Sequence, residues 1–150
     1  MASKRKSPEP PVHIAEWSLP TTATLGSAVR TKGLMLEMRS KLPTTLRKFL
    51  DARPGMLILG MPEGSEKEFI RASETIERHL VGIEKLDIIP REIQDILTIT
   101  TTERHRWLKD GRLPSAGTRT VKLRGRARKI TFHVFDPKIV EEMLNDDRMS

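Results

Sequence analysis

From Thr100 to Phe135 the chain carries ten lysines and arginines against two acids, Glu103 and Asp110. Ten minus two gives this window +8, whereas the whole 150-residue chain is +7, so everything outside it sums to about −1. Charge of one sign at this density cannot enter a core, because each unpaired buried ion costs several kcal/mol. The segment therefore lies on a surface, and its apolar residues say which kind. Val121 and Leu123 in one stretch, and Ile130, Phe132 and Val134 in another, recur with period two, the spacing of one face of a β-hairpin. Arg124-Gly125-Arg126 falls at or near the tip, and Lys122, Arg124 and Lys129 take outward positions. A cationic ribbon on an ordered scaffold is the electrostatic footprint of a phosphate-backbone partner. The plain alternative is a solvated basic face, which the mutual repulsion of ten cations opposes.

Two short helices precede the hairpin. Pro90 opens the first, Arg91 to Leu97, with Ile93, Ile96 and Leu97 inward. Ile99 fills the turn. Thr100 is a good N-cap for the second helix, Thr101 to Lys109. Gly111 sits where a left-handed residue ends a helix, and Pro114 blocks continuation. After the hairpin (Ser115 to Val134), Asp136-Pro137 starts a last helix with Ile139, Val140, Met143 and Leu144 inward. The polar tail after it should fray.

The first half is harder to read. Residues 1–11, with Lys4-Arg5-Lys6 and three prolines, read as a disordered basic arm, either a solubilising tail or a phosphate-touching or localisation segment. Val12 to Leu19 reads as an extended strap. Thr24 to Lys41 has an imperfect helical rhythm weakened by Gly33, and Thr44 to Ala52 reads as another helix. Met56 to Leu59 is a buried strand or a core-filling connector; periodicity does not separate the two. Ser65 with Glu68 forms a capping-box pattern for a helix to about Lys85, striped by Phe69, Ile70, Ser73, Ile76, Leu80 and Ile83. The expected fold is mainly α with a small β-hairpin. A helical region, residues 12–87, would serve dimerisation or docking; residues 88–145 would form the basic unit, and 146–150 a tail.

Several chemistries are poorly supplied. Cysteine is absent, so there is no disulfide and no thiolate ligand or nucleophile. His13, His79 and His133 are scattered and lack ligand spacing, so no metal and no cofactor is assigned. No Ser/His/acid spacing suggests a nucleophile with its base, so the chain is read as a non-enzyme. The Gly60–Ser65 loop lacks the lysine and hydroxyl ending of a phosphate loop. No apolar run approaches the ~20 residues of a membrane span, and Lys4-Arg5-Lys6 leads into prolines rather than a secretory signal. A cytoplasmic, nucleoid-associated protein with no membrane partner is expected.

Helix, tight turn, helix, basic hairpin, short helix is an order the chain shares with known domains. Ile99-Thr100 at the turn, Trp107, the exit Gly111-Arg112-Leu113-Pro114, the hairpin and the step Phe135-Asp136 together resemble a winged helix-turn-helix of the MerR and phage excisionase type. The resemblance covers Pro90 to Leu144. It implies a recognition helix at about 101–109 and a wing at about 115–134, both engaging double-stranded DNA. Thr101, Thr102, Arg104, His105 and Arg106 would face the major groove, with Arg106 and Arg104 best placed to clamp guanine; Lys109 would be a further DNA contact. Arg112, Arg119, Lys122, Arg124, Arg126, Arg128 and Lys129 would follow the backbone or enter the minor groove. Such domains usually carry an apolar residue where Arg104 stands. Arg104 then either snorkels past the core or the helix is turned by one position. The implied roles are a transcription regulator or recombination accessory factor. The alternatives are an assembly subunit of a larger DNA-processing complex, or an RNA-binding protein using the same hairpin. A homodimer or larger nucleoprotein complex would form through residues 12–87.

Overall fold

The computed structural model describes residues 10–122 and 128–149. In chain order it has β1 (His13–Ser18), α1 (Thr21–Thr24), α2 (Ala28–Ser40), a 3-10 segment (Thr44–Phe49), β2 (Leu50–Arg53) and β3 (Met56–Met61). Then come α3 (Glu66–Leu80), a short 3-10 turn (Ile83–Lys85), α4 (Pro90–Leu97), α5 (Thr101–Lys109), β4 (Gly117–Lys122), β5 (Lys129–Val134) and α6 (Pro137–Met149).

The expectation of a mainly α protein with a helical first half is overturned. The first half is built on a three-stranded antiparallel sheet, order β1-β3-β2, and the described residues form a mixed α/β fold, 52% of them helix and 23% strand. The strap at Val12 to Leu19 is the edge strand β1. Its Ala15 and Trp17 lie opposite Leu59 and Leu57, while Ile14 and Glu16 turn out. The helix expected from Thr44 to Ala52 is a 3-10 segment that straightens at Leu50 into β2, pairing Leu50 with Leu59. The run Met56 to Leu59 is the central strand β3. Every second residue, Leu57, Leu59 and Met61, is fully buried. Each such side chain contributes about 1.5–3 kcal/mol by leaving water.

Helices α2 and α3 supply Leu34, Met35, Met38, Ala72 and Ile76 to the core on that face. The helix expected from Thr24 to Lys41 starts only at Ala28, because Leu25 and Gly26 adopt left-handed φ values of 52° and 73° before Ser27 caps α2 through the Arg30 amide. The Ser65–Glu68 capping box does not form: the Ser65 hydroxyl turns back to donate to the Pro62 carbonyl. Helix α6 continues to Met149 rather than fraying after Asn145.

A second core gathers Ile88, Ile93, Ile96, Leu113, Phe135 and Val140 under the basic segment. Ile88 and Phe135 exchange both backbone hydrogen bonds, at 2.8 and 2.9 Å, tying the foot of the hairpin to the residues before α4. Asp136 caps α6 through the Lys138 amide.

One buried arginine joins the two cores. Arg30 of α2 has no exposed surface. Its Nε donates to the Ala23 carbonyl (3.0 Å) and its Nη2 to the Leu86 carbonyl (2.5 Å). Its Nη1 donates to the Asp87 carbonyl and to Glu92 Oε1, both at 3.1 Å. The same Glu92 oxygen accepts from the Ile89 amide at the start of α4. Burial pushes the Glu92 carboxyl above its ordinary range and the Arg30 guanidinium below its own, while their mutual attraction pulls each part of the way back. Gly33 makes the approach possible. A Cβ there would lie 1.8 Å from Glu92 Oε2. The glycine that weakens α2 as a helix is the point where α4's carboxylate enters. Ser27 reinforces the joint by donating to Asp95 at 2.6 Å.

Candidate nucleic-acid interface

Helices α4 and α5 are joined by Thr98, Ile99 and Thr100. Thr98 takes a left-handed φ of 57°, and the amides of Thr98 and Ile99 both donate to the Gln94 carbonyl. Thr100 then caps α5 in a reciprocal box. Its hydroxyl accepts from the Glu103 amide (3.0 Å), and Glu103 accepts from the Thr100 amide (2.9 Å). The Thr100 amide, with help from the hydroxyl and Arg106, holds the Glu103 carboxyl below its ordinary range. That contribution to stability is present above the ordinary carboxylate range and is lost as pH falls through the lowered folded value. Thr100→Ala should cost about 1 kcal/mol, measured by urea unfolding, while Thr100→Ser should restore most of it. A loss below a few tenths would remove the cap from the account of α5.

The exposed residues of α5 are Thr101, Thr102, His105, Arg106 and Lys109. Their spacing of 1, 4, 5 and 8 from Thr101 places them on one face. Trp107 and Leu108 are half-buried against the second core. Gly111, at φ 84°, ends the helix turn, and Leu113 is buried behind it.

Arg104 is not on the outward face. It is half-buried, its Nη2 lies 3.2 Å from His105 Nε2, and its buried Nε has no hydrogen-bond partner among the described residues. Arg104, His105 and Leu108 form one wall of a cleft of about 200 Å³ whose other wall is Thr131, Phe132, His133 and Phe135. Helix and hairpin therefore stand side by side.

In the hairpin register, Thr118 faces His133, Thr120 faces Thr131, and Lys122 faces Lys129 on one side of the ribbon; Arg119 faces Phe132 and Val121 faces Ile130 on the other. Thr120 and Thr131 share a 2.7 Å hydroxyl contact. Lys122 and Lys129 are like charges directly opposite, an arrangement that destabilises a ladder unless an anion lies near. Among the described residues Arg119, Lys122, Arg128 and Lys129 are exposed and make no ion pair. The two local acids are engaged elsewhere, Glu103 in the cap and Asp110 beside Arg112 at 3.8 Å. Arg112 also covers the Trp107 ring at 5.0 Å, so its guanidinium is held at the end of α5. Arg124 and Arg126 lie outside the described residues, as do Lys4-Arg5-Lys6.

Sequence reasoning passed over His133 as a scattered histidine. Its signal was parity: with Val134 and Phe132 inward, His133 has to point the other way, onto the ribbon face that carries the lysine pair farther along. No family model, curated protein or solved structure matches the chain. Among the described residues no helix is long and apolar enough to cross a membrane, and no group of His, Asp and Glu is placed to hold a metal ion.

Proposed function

We propose that the protein binds duplex DNA, with α5 entering the major groove and the β4–β5 hairpin following the backbone, in the manner of a winged helix-turn-helix. The observation that supports this most is that α5 and the ribbon border one cleft, each carrying exposed cations on its outer surface. The outward face of α5 carries His105, Arg106 and Lys109, and the polar face of the ribbon carries Lys122, Lys129 and His133. Arg106, exposed near the middle of α5, is the residue best able to clamp guanine O6 and N7. Thr101 and Thr102, at the positive end of the helix, suit a phosphate. A regulator or a recombination accessory factor would each use such a surface, and so would a subunit that recruits a larger DNA-processing complex.

Selection of bound sequences from random duplex DNA tests the reading. The wild-type chain should enrich a short motif. Arg106→Ala should change or relax that motif at one or two positions, at a cost of about 1–3 kcal/mol. Lys122→Gln with Lys129→Gln should weaken all sequences alike. If structured RNA outcompetes every duplex, or no motif is enriched, specific DNA reading is lost from the proposal.

A further inference from the structure

The cleft between α5 and β5 contains groups that the major-groove reading leaves unused. Arg104 was expected on the outward face; instead it lines this cleft, and its buried Nε has no hydrogen-bond partner among the described residues. Two imidazoles line it as well. His105 Nε2 is 3.2 Å from Arg104 Nη2, and His133 Nδ1 is 2.7 Å from Ser115 Oγ. Thr131 adds a hydroxyl, and Leu108, Phe132 and Phe135 supply apolar walls. No carboxylate lines the cleft. Three groups that are or can become cationic converge with no counter-charge, in surroundings whose low polarity strengthens any ionic contact made there.

The Arg104–His105 contact carries proton chemistry. A guanidinium only donates, so in this contact His105 Nε2 is the acceptor. Protonating Nε2 removes the acceptor and sets two cations about 3 Å apart. An anion seated between them reverses that penalty, since each could then donate to it.

We propose that this cleft is a seat for a single phosphate group, clamped by Arg104, His105 and His133, and that its occupation is coupled to proton uptake by the histidines. In the form that rests on the DNA-binding reading, the occupant is a backbone phosphate beside the groove that α5 enters. Linkage then requires affinity to rise as pH falls through the range where histidine charges, about pH 5 to 8. The charged and titratable groups facing the seat are Arg104 and His105 from α5 and His133 from β5. Ser115 holds His133, and the Lys122–Lys129 pair lies farther along the same ribbon face.

The test uses the full chain with two probes. For a labelled duplex, affinity should improve about tenfold from pH 7.5 to pH 5.5. His105→Gln with His133→Gln should abolish that gain, so that affinity no longer changes between the two pH values, whatever the variant's affinity at pH 7.5. His13→Gln with His79→Gln, both in the first half, should retain it. Arg104→Gln should lower affinity at every pH and make the salt slope shallower by about 0.9. For inorganic phosphate alone, NMR should show the His105 and His133 ring signals moving on titration while those of His13 and His79 stay still. If phosphate moves both rings but no duplex binds, the seat stands and the DNA reading falls. If duplex binds equally at both pH values, or the His105/His133 variant keeps the full pH gain, the seat falls and the DNA reading stands.

Discussion

Glu92→Ala should destabilise the protein by about 3–5 kcal/mol, because it strands the Arg30 guanidinium in the interior without its counter-charge. Total stabilities of such chains are about 5–15 kcal/mol, so this single change removes a large share. Gly33→Ala should act similarly by a different route, since the added Cβ would collide with Glu92 Oε2 at 1.8 Å and force α2 and α4 apart. The joint is not predicted to be a net source of stability. Replacing both partners, Arg30→Met with Glu92→Leu, should recover most of the loss, as buried pairs commonly tolerate apolar replacement. Two tryptophans make the measurement specific: Trp17 packs on the first core and Trp107 on the second. In urea, single-tryptophan variants retaining one or the other should unfold at the same midpoint. If the Trp107 signal melted first in Glu92→Ala while the Trp17 signal held, the two cores would be independent and the joint a minor contact.

The second large effect is on binding. Arg106, Lys109, Lys122 and Lys129 are exposed on α5 and the ribbon. Changing all four to glutamine should make the log–log dependence of duplex affinity on salt shallower by about 2.7, with the three lysines each meeting one phosphate. At 0.1 M salt that is about three orders of magnitude in affinity. Thermal stability should hardly change, because none of the four is buried. A control removing Lys67, Arg71, Arg78 and Lys85 takes the same charge from the first half. It should leave the slope nearly intact. Equal effects from both sets would mean that net charge, rather than a shaped surface, governs association.

The second half of the chain was far more legible than the first. From Pro90 onward the local signals agree with one another: proline at the first helical turn, the Thr100 cap, Gly111 at a left-handed exit, period two in the hairpin and Asp136 before α6. Each works over a few residues, and each is found. The three-stranded sheet was missed because β2 is only four residues long. Leu46, Phe49 and Leu50 have helical spacing, so a 3-10 segment running into a strand looks like one helix. Strand β1 was read as a strap because its partner residues in β3 are 38 (Ser18 to Met56) to 48 (His13 to Met61) positions away, and pairing over that distance leaves no local trace. Gly33 was read as a weakness of α2, and Arg30 drew no notice, since burial and an ion pair to a residue 62 positions on depend on tertiary packing. At the interface, the residue types were legible but their facing was not. Arg104 fits an outward register on paper, yet in the fold it stands with Leu108 in the wall of the cleft shared with β5.

The arginine that fastens α2 to the carbonyls of Leu86 and Asp87 leaves the stretch between the halves no freedom to act as a swivel. Were two copies to associate through their sheets, their α5 helices would be held at one separation and one angular phase, which on the proposed DNA-binding reading fixes the spacing of two half-sites. Half a helical turn of extra DNA, about five base pairs, would then place the second helix on the wrong side, with no slack in the chain to take up the difference.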